Sequence, residues 1–289
     1  MLGREFKRLL FSYRTVVMIV VAFLLTMISY YYTRMEYLGL KELLLGGAGD
    51  VNTANVAELA GNYNGFYYLF AFYNKSDEFM IMIIALFAWI GIFVSVGLFN
   101  RKETGYGNFL IVRSGYKKYH SIQVMAQTIY IAVVLGIVVV MQLVTAIFFG
   151  TEDFNGFVYG QTHLGVFGCL GLVFGIWLTA AFYCICINII VSSLECFIRN
   201  RYFLQAIPVM IFVMAPILIG STLENIFNWT TFGFDIVNPF SYMGILFRVI
   251  NYSGASERFI SEAISVVVFL MAGVIFYRIN EVKMRRNYL

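Results

Sequence analysis

"SIQVMAQTIYIAVVLGIVVVMQLVTAIFF", residues 121–149, contains no Asp, Glu, Lys, Arg or His. About 20 apolar residues in a helix cross the roughly 30 Å hydrocarbon layer of a membrane, so this run is long enough to span it. The whole chain of 289 residues is 61% hydrophobic and only 12% charged. In soluble proteins the apolar share is about half. The sequence therefore predicts an integral membrane protein.

Further apolar runs lie on both sides of this one and leave no stretch long enough for a separate soluble fold. We predict an all-α integral membrane fold with six transmembrane helices and a single domain, residues 1–289. The predicted spans cover approximately residues 15–33, 79–99, 121–149, 164–195, 202–220 and 260–278.

The distribution of Lys and Arg predicts the orientation, because these residues collect on the cytoplasmic side of a membrane. With six spans both termini face the same side. All but five of the 20 Lys and Arg residues then lie on the side of the termini, the exceptions being Arg34, Lys41, Lys75, Arg248 and Arg258. We predict cytoplasmic termini. The net charge of +4 follows from this topology and does not require a nucleic-acid partner.

The predicted spans carry ionisable side chains only near their ends, at Glu195, Glu262 and Arg278. Ion-coupled transporters and proton pumps generally need such a group at membrane depth, so this class is disfavoured. The sequence also lacks the H-E-x-x-H, G-x-S-x-G and G-x-x-x-x-G-K-[ST] motifs. We expect no catalytic residue, metal site or bound cofactor in this chain. If nucleotide energy is used, another polypeptide binds the nucleotide.

A basic segment, "NRKETGYGNFLIVRSGYKKYHSI" at residues 100–122, joins the second and third spans. Thr104 can cap a short helix that Gly115 ends. Phe109, Val112 and Tyr116 recur at helical spacing and give that helix an apolar face. The segment could anchor to anionic lipid, dock into a groove of a protein partner, or bind nucleic acid. The third interpretation is the weakest because no basic array repeats, and the residues alone leave the first two open.

Resemblance to a known family favours the docking interpretation. The motifs are Glu103-x-Gly105, Asn108-Phe109-Leu110, Arg113-Ser114-Gly115 and Lys118-Tyr119, followed by a long span. This order resembles the cytoplasmic loop of ATP-binding cassette transporter permeases of the type-2 exporter kind. The amphipathic residues 1–14 are similar to the family's interfacial N-terminal helix, and Ile236–Gly244 resembles its Asn-Pro-aromatic stretch.

The resemblance implies a non-catalytic permease subunit that exports a hydrophobic or amphipathic cargo, a peptide or drug, across a bacterial plasma membrane. It implies a second permease copy or a paralogue, and two copies of a cytoplasmic ATPase that bind ATP and Mg²⁺. In that family a coupling helix contacts the ATPase. The matching residues are Arg101, Lys102, Glu103, Gly105, Asn108, Phe109, Leu110, Val112, Arg113, Tyr116, Lys117 and Lys118. The alternative is a membrane scaffold that recruits a soluble protein without transport.

Several residues inside the predicted bundle are candidates for a cargo path. As a set they suit an apolar cargo, although each alone is an ordinary packing or lipid-facing residue: Phe87, Trp89, Phe93, Met210, Phe212 and Met214. Pro208 and Pro216 interrupt the fifth span as kinks or as hinges. Gly168, Gly171 and Gly175 permit close approach of helices, and we expect them to pack inside the bundle, the alternative being the seam of a dimer.

The first outer loop is unusually aromatic at Gly65–Asn74, "GFYYLFAFYN". Tyr and Trp settle at membrane interfaces, so a short segment lying at the outer interface is one interpretation. A lid or a receptor surface for an exported lipophilic molecule is the other.

Overall fold

A computed structural model describes residues 2–45, 65–75, 77–103, 111–113, 115–149, 157–159, 162–194, 197–198, 200–214, 218 and 255–288. Helices dominate this part of the chain. They are α1 (Leu2–Leu10), α2 (Tyr13–Leu45), α3 (Gly65–Lys75), α4 (Asp77–Glu103), α5 (Tyr116–Phe149), α6 (Val166–Leu194), α7 (Arg201–Val209) and α8 (Ala255–Tyr288).

Four helices in the described part are long and apolar enough to cross a membrane. Their spanning segments are Tyr13–Glu42, Tyr116–Phe149, Val166–Leu194 and Glu262–Lys283. The pair α3 and α4, bent by 63° at its junction, would make a fifth as one broken span. The transmembrane, helical class predicted from the sequence is therefore confirmed, with four or five candidate spans.

A short hairpin of two antiparallel strands, β1 (Phe157–Tyr159) and β2 (Thr162–Leu164), joins α5 to α6. Its register pairs Phe157 with Leu164. Leu164, which the sequence placed at the start of the fourth span, thus belongs to a strand, and helix α6 begins at Val166.

The surface of the bundle is apolar and part of its interior is polar. Val140, Phe174 and Val267 are each about 60% exposed, whereas Gln142 and Asn188 are fully buried. In water this arrangement would be unfavourable, but lipid tails solvate apolar side chains as well as a protein core does. The polar residues must then find their partners inside the bundle.

Helix α5 lies at the centre and packs against α1, α2, α3 and α6. Its inward face carries polar side chains, among them Gln142. Its Nε2 donates to Thr26 Oγ1 at 3.1 Å, and its Oε1 accepts from Tyr73 OH at 2.6 Å. The backbone oxygen of Gln142 accepts from Tyr30 OH at 3.2 Å. One side chain thereby ties α2, α3 and α5 together.

The aromatic segment Gly65–Asn74 forms most of α3 and lies inside the bundle. Phe66, Tyr68, Leu69, Phe70 and Phe72 are at most 1% exposed. The ring of Tyr68 packs on Phe149 at the end of α5, 6.2 Å away. A segment lying at the surface, as interface or lid, is therefore the wrong description of these residues, because their rings fill the core.

Helix α4 packs most extensively against α7, and Gly91 sets the closest approach. A Cβ atom built at Gly91 would overlap the carbonyl oxygen of Gln205 and lie 3.0 Å from its carbonyl carbon. Only glycine allows the two backbones to approach so closely.

The glycines of α6 do not behave as the sequence predicted. Gly168 and Gly171 are exposed, and a Cβ at Gly171 would meet no described atom of another element within 4 Å. Only Gly175 of the three is partly buried. The expectation that all three pack inside the bundle is wrong, because the side of α6 that contacts α5 and α8 is a different one.

Replacing Gly91 with Ala should lower the free energy of unfolding by about 2 kcal/mol, since the added methyl group meets backbone that cannot change rotamer. Gly171→Ala is the matched control and should be neutral or stabilising by up to about 1 kcal/mol, because Ala is the better helix former. Thermal unfolding of the purified protein in detergent measures both. Equal midpoints for the two variants would contradict the close contact.

Replacing Gln142 with Leu should cost about 1–2 kcal/mol, because Tyr73 OH and Thr26 Oγ1 both lose a buried partner. Tyr73→Phe removes one of the same bonds, so the double variant should cost less than the sum of the two single variants. Tyr31→Phe, which removes the hydroxyl of an exposed tyrosine, is the control. Additive losses of stability would show that the two residues act independently.

Candidate docking site

The structure places the predicted docking residues in three groups. Arg101, Lys102 and Glu103 form the last turn of α4, and residues 111–113 form a helical turn that contains Val112 and Arg113. Tyr116, Lys117 and Lys118 begin α5. The remaining predicted residues lie outside the described part of the chain: Thr104, Gly105, Asn108, Phe109 and Leu110.

Gly115 separates the helical turn from α5. Its φ of 78° lies in the left-handed region, which glycine adopts without a steric penalty. Its N–H donates to the carbonyl of Ile111 at 2.8 Å, and its own carbonyl accepts from Tyr119 N–H at 3.1 Å. The first bond closes the preceding turn and the second opens α5. The prediction that Gly115 ends a helix is confirmed for this turn.

The residues around Gly115 form an exposed surface, which we call the docking turn (residues 111–113 and 115–118). Val112 is 87% exposed, and Arg113, Lys117 and Lys118 are exposed around it. In the described part of this surface, one strongly exposed apolar side chain among three exposed cations suits two kinds of partner. These are a protein groove with an apolar floor and an acidic rim, and an anionic membrane surface.

The inner side of the docking turn is held by the end of α8. Tyr116 OH donates to Oδ1 of Asn280 at 3.2 Å, and Asn280 is only 2% exposed. The ring of His120 lies between two tyrosine rings, with centroids 5.6 Å from Tyr116 and 5.0 Å from Tyr277. These contacts join the first two turns of α5 to the last turns of α8.

Two ion pairs lie beside the stacked rings. Glu281 Oε1 is 3.5 Å from Lys117 Nζ, and its Oε2 is 3.2 Å from Arg278 Nη1. The side chains of Lys117 and Arg278 are about 70% exposed, so each pair contributes little to stability.

Sequence reasoning missed the part played by Tyr277, Asn280 and Glu281. Tyr116 and Asn280 are 164 positions apart in the chain, and no local pattern connects them. The available signal was weak. Asn280 lies near the end of an apolar helix, where a buried amide requires a partner.

The candidate cargo-path residues lie in three different surroundings. Phe87 packs on Phe212, with ring centroids 6.3 Å apart. Trp89 and Phe93 pack on Tyr130, at 5.6 and 4.9 Å. All four predicted rings are buried. The other two, Met210 and Met214, are about half exposed on the outer surface.

The predicted hinge Pro208 is buried in α7, two residues before a π-helical turn, Met210–Met214. Proline lacks the N–H that would bond four residues back, and a π-helical turn is a common local adjustment of the helix. Pro216 lies outside the described residues.

Helix α1 packs its apolar side, Phe6, Leu9 and Leu10, onto the bundle. A cavity of about 10 Å³, the size of one water molecule, lies between α1, α4 and α5. Its polar lining includes the ion pair Glu5–Arg8, with a distance of 3.1 Å, and the amides of Gln123 and Gln127. The amphipathic helix predicted at the N-terminus is therefore present and contacts α5.

Comparison of the chain with protein-family models, with curated proteins and with solved structures finds no match. Among the residues that the structure describes, no three His, Cys, Asp or Glu side chains are grouped as metal ligands. The function is therefore argued from the docking turn and the helices behind it.

The left-handed conformation of Gly115 gives a direct test of the turn. Gly115→Ala should destabilise it by about 1 kcal/mol, since a Cβ is disfavoured at this φ, and Gly115→Asn should cost less because Asn tolerates the left-handed region. Gly39→Ala, at a site with no atom within 4 Å of the new Cβ, is the control. Thermal unfolding and amide exchange of residues 111–119 measure the effect. An Ala variant as stable as the Asn variant would contradict it.

Proposed function

We propose that this chain is the membrane-spanning subunit of an ATP-driven exporter and that a separate cytoplasmic ATPase binds its docking turn. The observation that carries the proposal is the docking turn itself. It is a basic surface with an exposed Val112, fixed at Gly115 and supported from behind by the end of α8. A solvated loop whose cations only set the orientation of the protein in the membrane would not need this support.

The position of the termini supports an even number of crossings. Glu5 and Arg8 of α1 line a cavity with Gln123, near the start of α5. Near the end of α8, Glu281 pairs with Lys117, also at the start of α5. The two ends of the chain are therefore on the same side of the bundle. The excess of Lys and Arg at that side supports its assignment to the cytoplasm.

Six crossings are our preferred count. The four long helices and the bent pair α3–α4 supply five. Helix α7 and its π-helical turn continue from Gln205, beside Gly91, to Phe212, beside Phe87. Because α4 runs toward the docking turn, α7 runs away from it. We infer that Arg201–Met214, an apolar helix too short to span alone, begins the remaining crossing.

The docking turn favours a protein partner over lipid alone. Anionic lipid attracts cations, each worth about 1 kcal/mol near the surface, but it needs neither a helix end at Gly115 nor a rigid support. A groove with an apolar floor and an acidic rim uses both Val112 and the cations around it. An ATPase that held the turn differently with and without ATP would bias the membrane helices.

The chain carries no nucleotide-binding motif, so in this proposal ATP and Mg²⁺ belong to the ATPase. We further propose a dimer of permease subunits with two ATPase copies and a hydrophobic or amphipathic cargo. The apolar outer surface supports such a cargo, because a lipophilic molecule could reach the protein from the membrane. A scaffold that only recruits a soluble protein is the alternative, since it would use the same turn.

Charge reversal at the docking turn tests the proposal. Arg113→Glu combined with Lys118→Glu should reduce the amount of copurified ATPase and the ATP hydrolysis of the complex by about tenfold, because the acidic rim would then be repelled. Lys41→Glu, at an exposed cation of α2, is the matched control. The measurements are quantitative mass spectrometry of the complex and phosphate release.

Unchanged copurification and hydrolysis in the doubly reversed variant, with normal thermal stability, would contradict docking at this turn. A partner that copurifies but does not hydrolyse ATP would support the scaffold instead.

A further inference from the structure

The contacts behind the docking turn form one unit, which we call the clamp: Tyr116, His120, Tyr277, Asn280 and Glu281. It contains a part-buried hydrogen bond, a stack of three rings and an ion pair. One partner in the hydrogen bond and the central ring of the stack are buried, since Asn280 and His120 are 2% and 6% exposed, whereas Tyr116 and Tyr277 are partly exposed. The clamp therefore connects the turn to α8 through contacts that are partly shielded from water.

The two helices joined by the clamp differ in how firmly they are held. Helix α5 packs against four other helices and is tied to α2 and α3 through Gln142. Within the part of the chain that the structure describes, helix α8 packs mainly on α6, and 17% of its spanning window is buried, compared with 44% for α5. A displacement of the docking turn meets more resistance from α5 than from α8.

Helix α8 is also continuous between its contact with α6 and the clamp. Asn280 lies 15 positions after Ser265, which bonds to Tyr183 at 3.0 Å, and this separation is about 22 Å at 1.5 Å per residue. Its contact with α6 includes Phe269, whose ring lies 5.1 Å from Tyr183. A movement imposed at the clamp would thus reach the far half of the membrane through one helix.

We propose that α8 is the element that the docking turn moves: a partner that displaces the turn and the first turns of α5 pulls α8 with them through the clamp, and so shifts α8 relative to the rest of α5. The inference rests on the proposed function, because the ATPase of that proposal is what displaces the turn. Tyr277, Asn280 and Glu281 are then positioning residues, which act through the turn and do not touch the partner.

The first experiment uses the purified chain alone, so it does not depend on any ATPase. Asn280→Leu removes the hydrogen bond to Tyr116, and amide exchange at Gly115 and Tyr119 should become about tenfold faster, as expected when local opening loses an ordinary hydrogen bond. Tyr116→Phe removes the same bond from the other side and should have the same effect. Ser265→Ala breaks a buried polar contact at the far end of α8 and should leave these two amides unchanged.

The second experiment uses the complex with its copurified ATPase in lipid nanodiscs. Nitroxide labels replace Val133 of α5 and Val274 of α8, both of which are exposed. Trapping with ATP and vanadate should shift the distance between the labels. In the variant with Tyr277→Leu and Asn280→Leu, complexes that retain the ATPase and hydrolyse ATP should show no shift, because the turn then moves without α8. Glu262→Gln, at the other end of the spanning segment, should keep the shift.

Normal amide exchange in both Asn280→Leu and Tyr116→Phe would overturn the inference, and so would a full distance shift in the clamp variant. Failure of any ATPase to copurify would instead overturn the proposed function, because the exchange measurement would still show whether α8 holds the turn.

Discussion

The bundle depends on hydrogen bonds that a membrane interior makes obligatory. Gln142 is fully buried in an apolar surrounding, and its amide has partners on two other helices. Lipid does not push helices together as water does, so close packing and such bonds determine which helices associate. In α5 this principle appears along the whole helix: Gln127 bonds to Asn188, Tyr130 to Thr15, and Gln142 to Thr26 and Tyr73.

The class of fold and the existence of most helices could be predicted from the sequence, because a long uncharged run has few alternatives to a membrane helix. The position of the aromatic segment Gly65–Asn74 could not. Tyrosine and phenylalanine suit an interface as well as a core, and only the contact of Tyr73 with Gln142, far away in the chain, decides between them. The prediction that Gly171 packs inside the bundle was wrong for the same reason, since the spacing of glycines does not show which neighbouring helix they face.

In the candidate site, too, features set by neighbouring residues could be predicted, and contacts between residues far apart in the chain could not. The end of a helix at Gly115 was predictable, since glycine after a periodic segment marks a left-handed residue. The support behind it was not, because Tyr116 and Asn280 are near opposite ends of the chain. Phe87 and Phe212 are buried and Met210 is exposed, although all three side chains are apolar. Side-chain type predicts the environment less well when lipid and core are both apolar.

The low burial of α8 has a consequence for the medium in which the protein operates. A helix fixed by neighbours keeps its tilt when the bilayer becomes thinner or thicker, whereas one that mostly contacts acyl chains adjusts its tilt to the hydrocarbon thickness. Only 17% of the spanning window of α8 is buried, so packing against the described helices determines its tilt less than it determines the tilt of α5. If a change in bilayer thickness tilts α8, the contact of Asn280 with Tyr116 carries that tilt to the basic surface at Gly115.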